Sequence, residues 1–195
     1  MSTTEDKINC VQSSAAEGKE FKLLSKNGKK VSPARAITET AVMSAMLVIG
    51  KLALSFIPNV EVVTTLTIVF GVCFGLRAVA ASVVFCTADM FLYAFSLDVA
   101  ISYFVYWPLL CLSAAVLSAL KVKSLYVYLI VALIGTLFFG LLTSLVFSLL
   151  YGVPFIPVYV AGLPFYAFQL VSSLVFMLVG FNPVSYTHLR AHETL

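Results

Sequence analysis

The sequence predicts an all-α integral membrane protein with six transmembrane helices and cytoplasmic N- and C-termini, and three observations carry that reading. First, 61% of the 195 residues are hydrophobic and only 11% are charged, whereas a soluble domain carries about a quarter of charged residues. Second, six continuous apolar runs follow one another, roughly 37–57, 60–75, 77–97, 99–120, 124–150 and 157–181. A bilayer-crossing helix needs about 20 apolar residues, and only the second run falls clearly short. Because the runs are continuous rather than alternating, they argue against membrane strands. Third, with the N-terminal segment inside, Arg77, Lys121 and Lys123 fall in the two inner loops, while the outer loops hold Glu61 and Asp98 and no Lys or Arg. That partition is the one the positive-inside rule describes.

Taken in order, residues 1–36 are too polar for a signal peptide and too poor in apolar periodicity for a packed domain, so they read as a disordered basic cytoplasmic tail. Lys19, Lys22, Lys26, Lys29, Lys30 and Arg35 crowd its end. A basic cluster beside a membrane-crossing run fits contact with anionic lipid better than contact with nucleic acid. The first run carries Glu39, a first-turn acid favoured by the helix dipole, and then Lys51, six residues before Ile57. The helical rise puts the Lys51 Cα about 9 Å below the outer end of that run, a depth at which an ionisable side chain points to function. Pro58-Asn59-Val60-Glu61 then closes one helix and opens the next: Pro58 disfavours helical backbone at Ile57, and Asn59 is a good N-cap for a first turn holding Glu61. This corner reads as the roof of a small-molecule site with Lys51 beneath it.

The third run contains Asp89, at about the same depth as Lys51. The two can pair as a structural tie between the first and third helices, or face a cavity and bind polar groups of a ligand. The fourth run opens with Tyr103-Phe-Val-Tyr-Trp-Pro108. Tyr103 and Trp107 share a face, with Tyr106 beside them and Pro108 able to kink the helix. They fit either a lipid-facing aromatic belt or a wall on which a flat ring stacks. In the sixth run, Gly162-Leu-Pro-Phe-Tyr-Ala-Phe-Gln169 adds Tyr166 and an amide that must find hydrogen-bond partners in hydrocarbon. The stretch Tyr151–Pro157 before it reads as a lid. Small residues one turn apart recur at Ala41/Ala45, Gly71/Gly75 and Ala115/Ala119, a spacing that lets helices approach closely in lipid. The first of these could serve a partner protein.

Several chemistries are excluded. No phosphate-cradling loop, HExxH or nucleophile–base set is present, so the chain reads as a non-enzyme without cofactor or metal, and uphill movement of a solute would need a partner or an ion gradient. Cys10, Cys73, Cys86 and Cys111 show no paired spacing, which implies neither a disulfide framework nor a cluster site. Residues 184–194, Val-Ser-Tyr-Thr-His-Leu-Arg-Ala-His-Glu-Thr, resemble one reading frame of a sequencing-library adapter. Residues 184–195 are therefore set aside as non-native, with the natural C-terminus expected beyond about Pro183. They contain His188 and His192, the only histidines in the chain, so no metal site is inferred from that i, i+4 pair.

The span from about Ile37 to Pro183 resembles the substrate-binding S components of energy-coupling factor (ECF) vitamin transporters. The features that match are six short helices behind a polar inner tail, Ala41-x-x-x-Ala45, the Leu54-Ser-Phe-Ile-Pro-Asn-Val-Glu61 corner, Gly162-Leu-Pro-Phe-Tyr166 and Phe181-Asn-Pro183. The resemblance implies a membrane-embedded binder of a vitamin or related micronutrient at the outer face of a prokaryotic cell membrane. It also implies docking through Ala41 and Ala45 onto a transmembrane coupling subunit driven by two ATPase subunits. The expected substrate-binding set is Lys51, Asn59, Glu61, Asp89, Tyr103, Tyr106, Trp107, Tyr166 and Gln169. The acidic residue and His or Asn partners usual in the last helix of that family are absent, with Tyr166 and Gln169 near where they would stand. Two rivals remain open: a structural membrane protein of the cell-shape machinery, with a closed Lys51–Asp89 pair and lipid-facing Tyr103 and Trp107, and a small proton-coupled transporter using Asp89.

Overall fold

The computed structural model describes residues 32–56, 62–93, 96–122 and 124–193, with only the backbone described over 181–193. Among the described residues there are six helices and no strand: α1 Pro33–Ala53, α2 Val63–Phe74, α3 Leu76–Tyr93, α4 Leu97–Ala119, α5 Leu125–Tyr151 and α6 Phe155–Glu193. Five are long and apolar enough to cross a membrane; α2, with 12 residues, is not. At 1.5 Å per residue α2 spans about 18 Å, little more than half of a hydrocarbon core. The architecture is that of a multi-pass all-α membrane protein.

The chain divides into two compact units, Met1–Ile37 and Thr38–Leu195. Of the first, Ser32–Ile37 is described. Ser32 starts the helix there, its Oγ accepting from Arg35 N–H at 3.4 Å and its carbonyl from Ala36 N–H at 3.1 Å. Pro33 follows at the first helical position, where its fixed φ suits the helix and its missing N–H costs nothing. Helix therefore begins four residues earlier than the apolar run suggests. α1 also ends early, at Ala53, because the Ser55 Oγ and N–H both turn back onto the Leu52 carbonyl, at 2.8 and 3.2 Å. Such local side-chain bonds compete with continued helix. The Pro58–Glu61 corner, with Asn59 and Glu61, lies outside the described residues.

In the second unit, α2 and α3 are joined by Gly75 alone. Its φ of +62° reverses the chain, its N–H bonds to the Gly71 carbonyl, and Ala78 N–H bonds to its own carbonyl. Glycine adopts that φ without a Cβ penalty. Gly75 is thus a turn residue and not the second half of a packing motif; Gly71 alone packs. A Cβ at Gly71 would meet the Cys111 carbonyl oxygen at 2.7 Å and the Ala114 Cβ at 3.0 Å, while Ser118 Oγ donates to the Val72 carbonyl at 3.0 Å. The small residues of α4 that receive α2 are Ala114 and Ala115; Ala119 is exposed. α2 is the central helix, buried from Val63 through Gly71 except at Leu66.

α1 and α3 run parallel. Glu39 pairs with Arg77 and Lys51 with Asp89, and Ser44 Oγ donates to the Ala81 carbonyl at 3.0 Å between them. Each pair joins residues 38 apart, so the two ties stand about 18 Å apart along both helices. Glu39 is therefore not simply an acid placed for the helix dipole. α4 packs antiparallel to α3, with Phe85 on Trp107 and Cys86 Sγ on the Tyr103 carbonyl at 3.4 Å. α5 buries one stripe, Tyr128, Ala132, Thr136, Gly140 and Ser144, at the i, i+4 spacing of a single helix face. Ile130, Ile134, Leu137, Leu141, Leu145 and Leu149 are exposed on its other faces, as in a helix bathed in lipid. Gly152, with φ +66°, ends it in the left-handed conformation.

The connection to α6 is only Gly152–Pro154, too short for the lid expected over Tyr151–Pro157, because helix resumes at Phe155 and takes Pro157 into its first turn. The α6 backbone continues helical past residue 181, through the adapter-like stretch to Glu193.

Candidate binding site

Among the described residues the most deeply buried charge is that of Asp89, on α3 one turn below its end at Tyr93. Its side chain is 1% exposed and paired with Lys51, whose side chain is 16% exposed. The Lys51 ammonium also donates to Tyr103 Oη at 3.1 Å. It lies 4.5 Å from the Tyr103 ring centre, displaced toward the hydroxyl, and 5.1 Å from the Tyr93 ring centre. Among the described residues, Asp89 and Tyr93 of α3 and Tyr103 of α4 thus gather around the ammonium carried by α1. Spacing explains the local part, since Asp89 and Tyr93 are one turn apart on α3 and their side chains share a face.

Behind this group the rings of α4 form a wall. Tyr103 meets Trp107 edge-on at 6.0 Å, Trp107 meets Tyr106 at 4.8 Å and Phe85 at 5.8 Å, and Phe139 of α5 touches Tyr103 and Tyr106 at 5.8 and 4.8 Å. Tyr103, Tyr106 and Trp107 are all buried, so they do not form a lipid-facing belt. Such edge and tilted contacts add about 0.5–1.5 kcal/mol each beyond burial. Asp89 Oδ1 and Trp107 Nε1 are among the buried polar atoms of the cluster that make no hydrogen bond among the described residues. A buried acceptor or donor left so costs about 1–3 kcal/mol.

Of the residues the sequence singles out, Lys51, Asp89, Tyr103, Tyr106 and Trp107 come together. The described contacts of Tyr166 run elsewhere. Its hydroxyl shares a hydrogen bond of 3.0 Å with Ser144 Oγ, its ring fills the space beside Gly140 and Gly162, and it tilts against Tyr159 at 5.8 Å. Gln169 is buried on α6, and its carbonyl accepts from Ser172 Oγ at 3.0 Å. Ala41 and Ala45 are exposed on α1, on the side away from buried Met43, Ser44 and Leu47. Asp98 is not a loop residue: it sits buried in the first turn of α4 and accepts from Tyr151 Oη at 3.3 Å.

Sequence reasoning passed over Tyr93, Phe85 and Phe139. The first two lie four residues either side of Asp89 and could have been found by helical spacing, whereas Phe139 reaches the cluster only through packing of α5 on α4. The hydroxyls of Thr64, Thr65 and Thr67 on α2 and Ser173 on α6 were also missed; they are buried without a hydrogen bond among the described residues. Three histidine, cysteine or acidic side chains placed to hold a metal ion are not found together among the described residues. No protein-family model, curated protein or solved structure matches the chain.

Proposed function

We propose that this chain is the membrane-embedded substrate-binding subunit of an ECF-type transporter, capturing a vitamin or related micronutrient for ATP-driven uptake by partner subunits. The observation that carries the reading is the cluster of Lys51 with buried Asp89, Tyr103 and Trp107, in which a carboxylate oxygen and an indole N–H make no hydrogen bond among the described residues. Intramembrane ionisable groups are expensive and mark ligand paths more often than scaffolds. In this reading α2 completes a six-span topology with both termini in the cytoplasm of a prokaryotic cell, and the cluster lies toward the outer face. The chain itself catalyses no reaction.

Native mass spectrometry of the full chain in detergent, against a panel of water-soluble vitamins and their precursors, tests this. One tight ligand is expected, and silence from a folded sample across the panel would remove the binding role. The exposed Ala41/Ala45 face is the proposed dock for the coupling subunit. Replacing both by Trp is expected to abolish uptake in cells while leaving the Kd of the ligand within about twofold; loss of both together would refute that division of labour.

A second reading has its own support. The pairs Glu39–Arg77 and Lys51–Asp89 tie α1 to α3 in one register, as a scaffold protein of the cell-shape machinery would need. It is favoured if no ligand binds and the protein co-purifies with envelope-synthesis partners. A proton-coupled transporter using Asp89 is separated from both by uptake that collapses with an uncoupler at constant ATP.

A further inference from the structure

Among the described residues, the group around the Lys51 ammonium has the composition of a receptor for an organic cation: a carboxylate, two tyrosine rings and a phenolic oxygen. Aromatic rings within about 6 Å of a cation attract it through their quadrupoles, more strongly when water is excluded. Here the cation is supplied by the protein's own chain. Exposure grades along the group, from Tyr93 at 36% through the Lys51 side chain at 16% to Asp89 at 1%, so the lysine stands between an open rim and a closed floor. Lys51 is two residues from the end of α1. Its flexible four-carbon stem can carry the ammonium outward to water, as long cationic side chains near helix ends do.

We propose that Asp89, Tyr93 and Tyr103 form a binding site for an organic cation bearing at least two N–H donors, such as an amidinium or guanidinium, and that Lys51 is a tethered occupant which the ligand displaces. Exchange of one cation for another leaves the buried charge unchanged, which an incoming anion or neutral ligand would not achieve once the lysine had moved away. Asp89 Oδ2 is bonded to Lys51 while Oδ1 makes no hydrogen bond among the described residues. A planar two-donor cation can engage both oxygens at once, an arrangement the single ammonium does not use. The flat ligand then lies against the Tyr103 ring. This rests on the substrate-binding reading above and narrows its substrate class.

The test uses the full chain in detergent with benzamidinium as probe and benzamide as its neutral isostere, both read by thermal shift and isothermal titration. Lys51→Met removes the tethered occupant, and Tyr103→Phe keeps the ring while releasing the ammonium's hydrogen bond. Benzamidinium is expected to bind both variants at least tenfold more tightly than the parent and to raise their melting temperatures, while Asp89→Asn abolishes its binding and benzamide has no effect on any form. Tyr103→Phe keeps the test open if Lys51→Met does not fold. Benzamidinium affinity that is unchanged or weaker in the folded variants, or benzamide binding equal to it, overturns the proposal. A neutral or anionic vitamin found in the ligand screen would sink the cation inference and leave the binding role standing, whereas benzamidinium binding without any transported solute would do the reverse.

Discussion

Asp89→Ala is expected to destabilise the protein by about 3–5 kcal/mol, because it leaves the Lys51 ammonium in a site built around a carboxylate. Asp89 is buried and the Lys51 side chain is 16% exposed, and the two form an ion pair. The double variant Lys51→Met/Asp89→Leu should recover most of that loss, since replacing a buried ion pair by apolar groups of similar volume is often neutral or stabilising. Equilibrium unfolding in mixed micelles of rising sodium dodecyl sulfate, applied to the parent, Lys51→Met, Asp89→Leu and the double variant, closes the cycle and gives the coupling energy. A double variant as unstable as Asp89→Ala alone would show that the two side chains do not act as a pair. The same cycle at Glu39 and Arg77 should give a smaller coupling, because those side chains are 18% and 35% exposed and water screens them.

Gly71→Val should cost about 1–3 kcal/mol by overpacking. The obstruction is backbone: a Cβ at this position meets the Cys111 carbonyl at 2.7 Å, where no side chain can swing aside. α2 would have to lift from α4, stretching the bond from Ser118 Oγ to the Val72 carbonyl. Since α2 is the central helix, its displacement should also loosen the ring wall that Trp107 shares with Phe85 and Tyr106. Ala119→Val, at an exposed position of the same face spacing, serves as control with an expected change within about 0.5 kcal/mol. Equal losses for the two variants would mean that α2 and α4 are not in close contact at Gly71.

The pairing of Lys51 with Asp89 was legible because each is a charge deep within an apolar run and both lie at one depth. The pairing of Glu39 with Arg77 was hidden by a local explanation, the helix dipole, although the same separation of 38 residues recurs in both ties. Tyr103 and Trp107 were ambiguous for a different reason. Tyrosine and tryptophan are equally suited to a membrane interface and to a packed interior, and spacing along one helix says which face they share but not what that face meets. Tyr166 shows what spacing along one helix leaves out. Its neighbours in sequence suggested a ligand contact, but its ring is occupied by Gly140 and Gly162 and its hydroxyl by Ser144. Those partners come from helix packing, and a glycine's role as a socket is invisible until the ring that fills it is placed.

Composition, run length and turn residues act within a few residues of one another, and on their own they determined that this is an all-α membrane protein, roughly where each helix lies, and which charges sit within apolar runs. The tertiary structure decided which helix is central, which faces are covered, and that one lysine ammonium is enclosed by a carboxylate and two tyrosine rings from other helices. Such choices depend on lateral contacts between segments dozens of residues apart, where close approach at single small residues such as Gly71 selects one packing among the many that the same hydrophobic pattern allows.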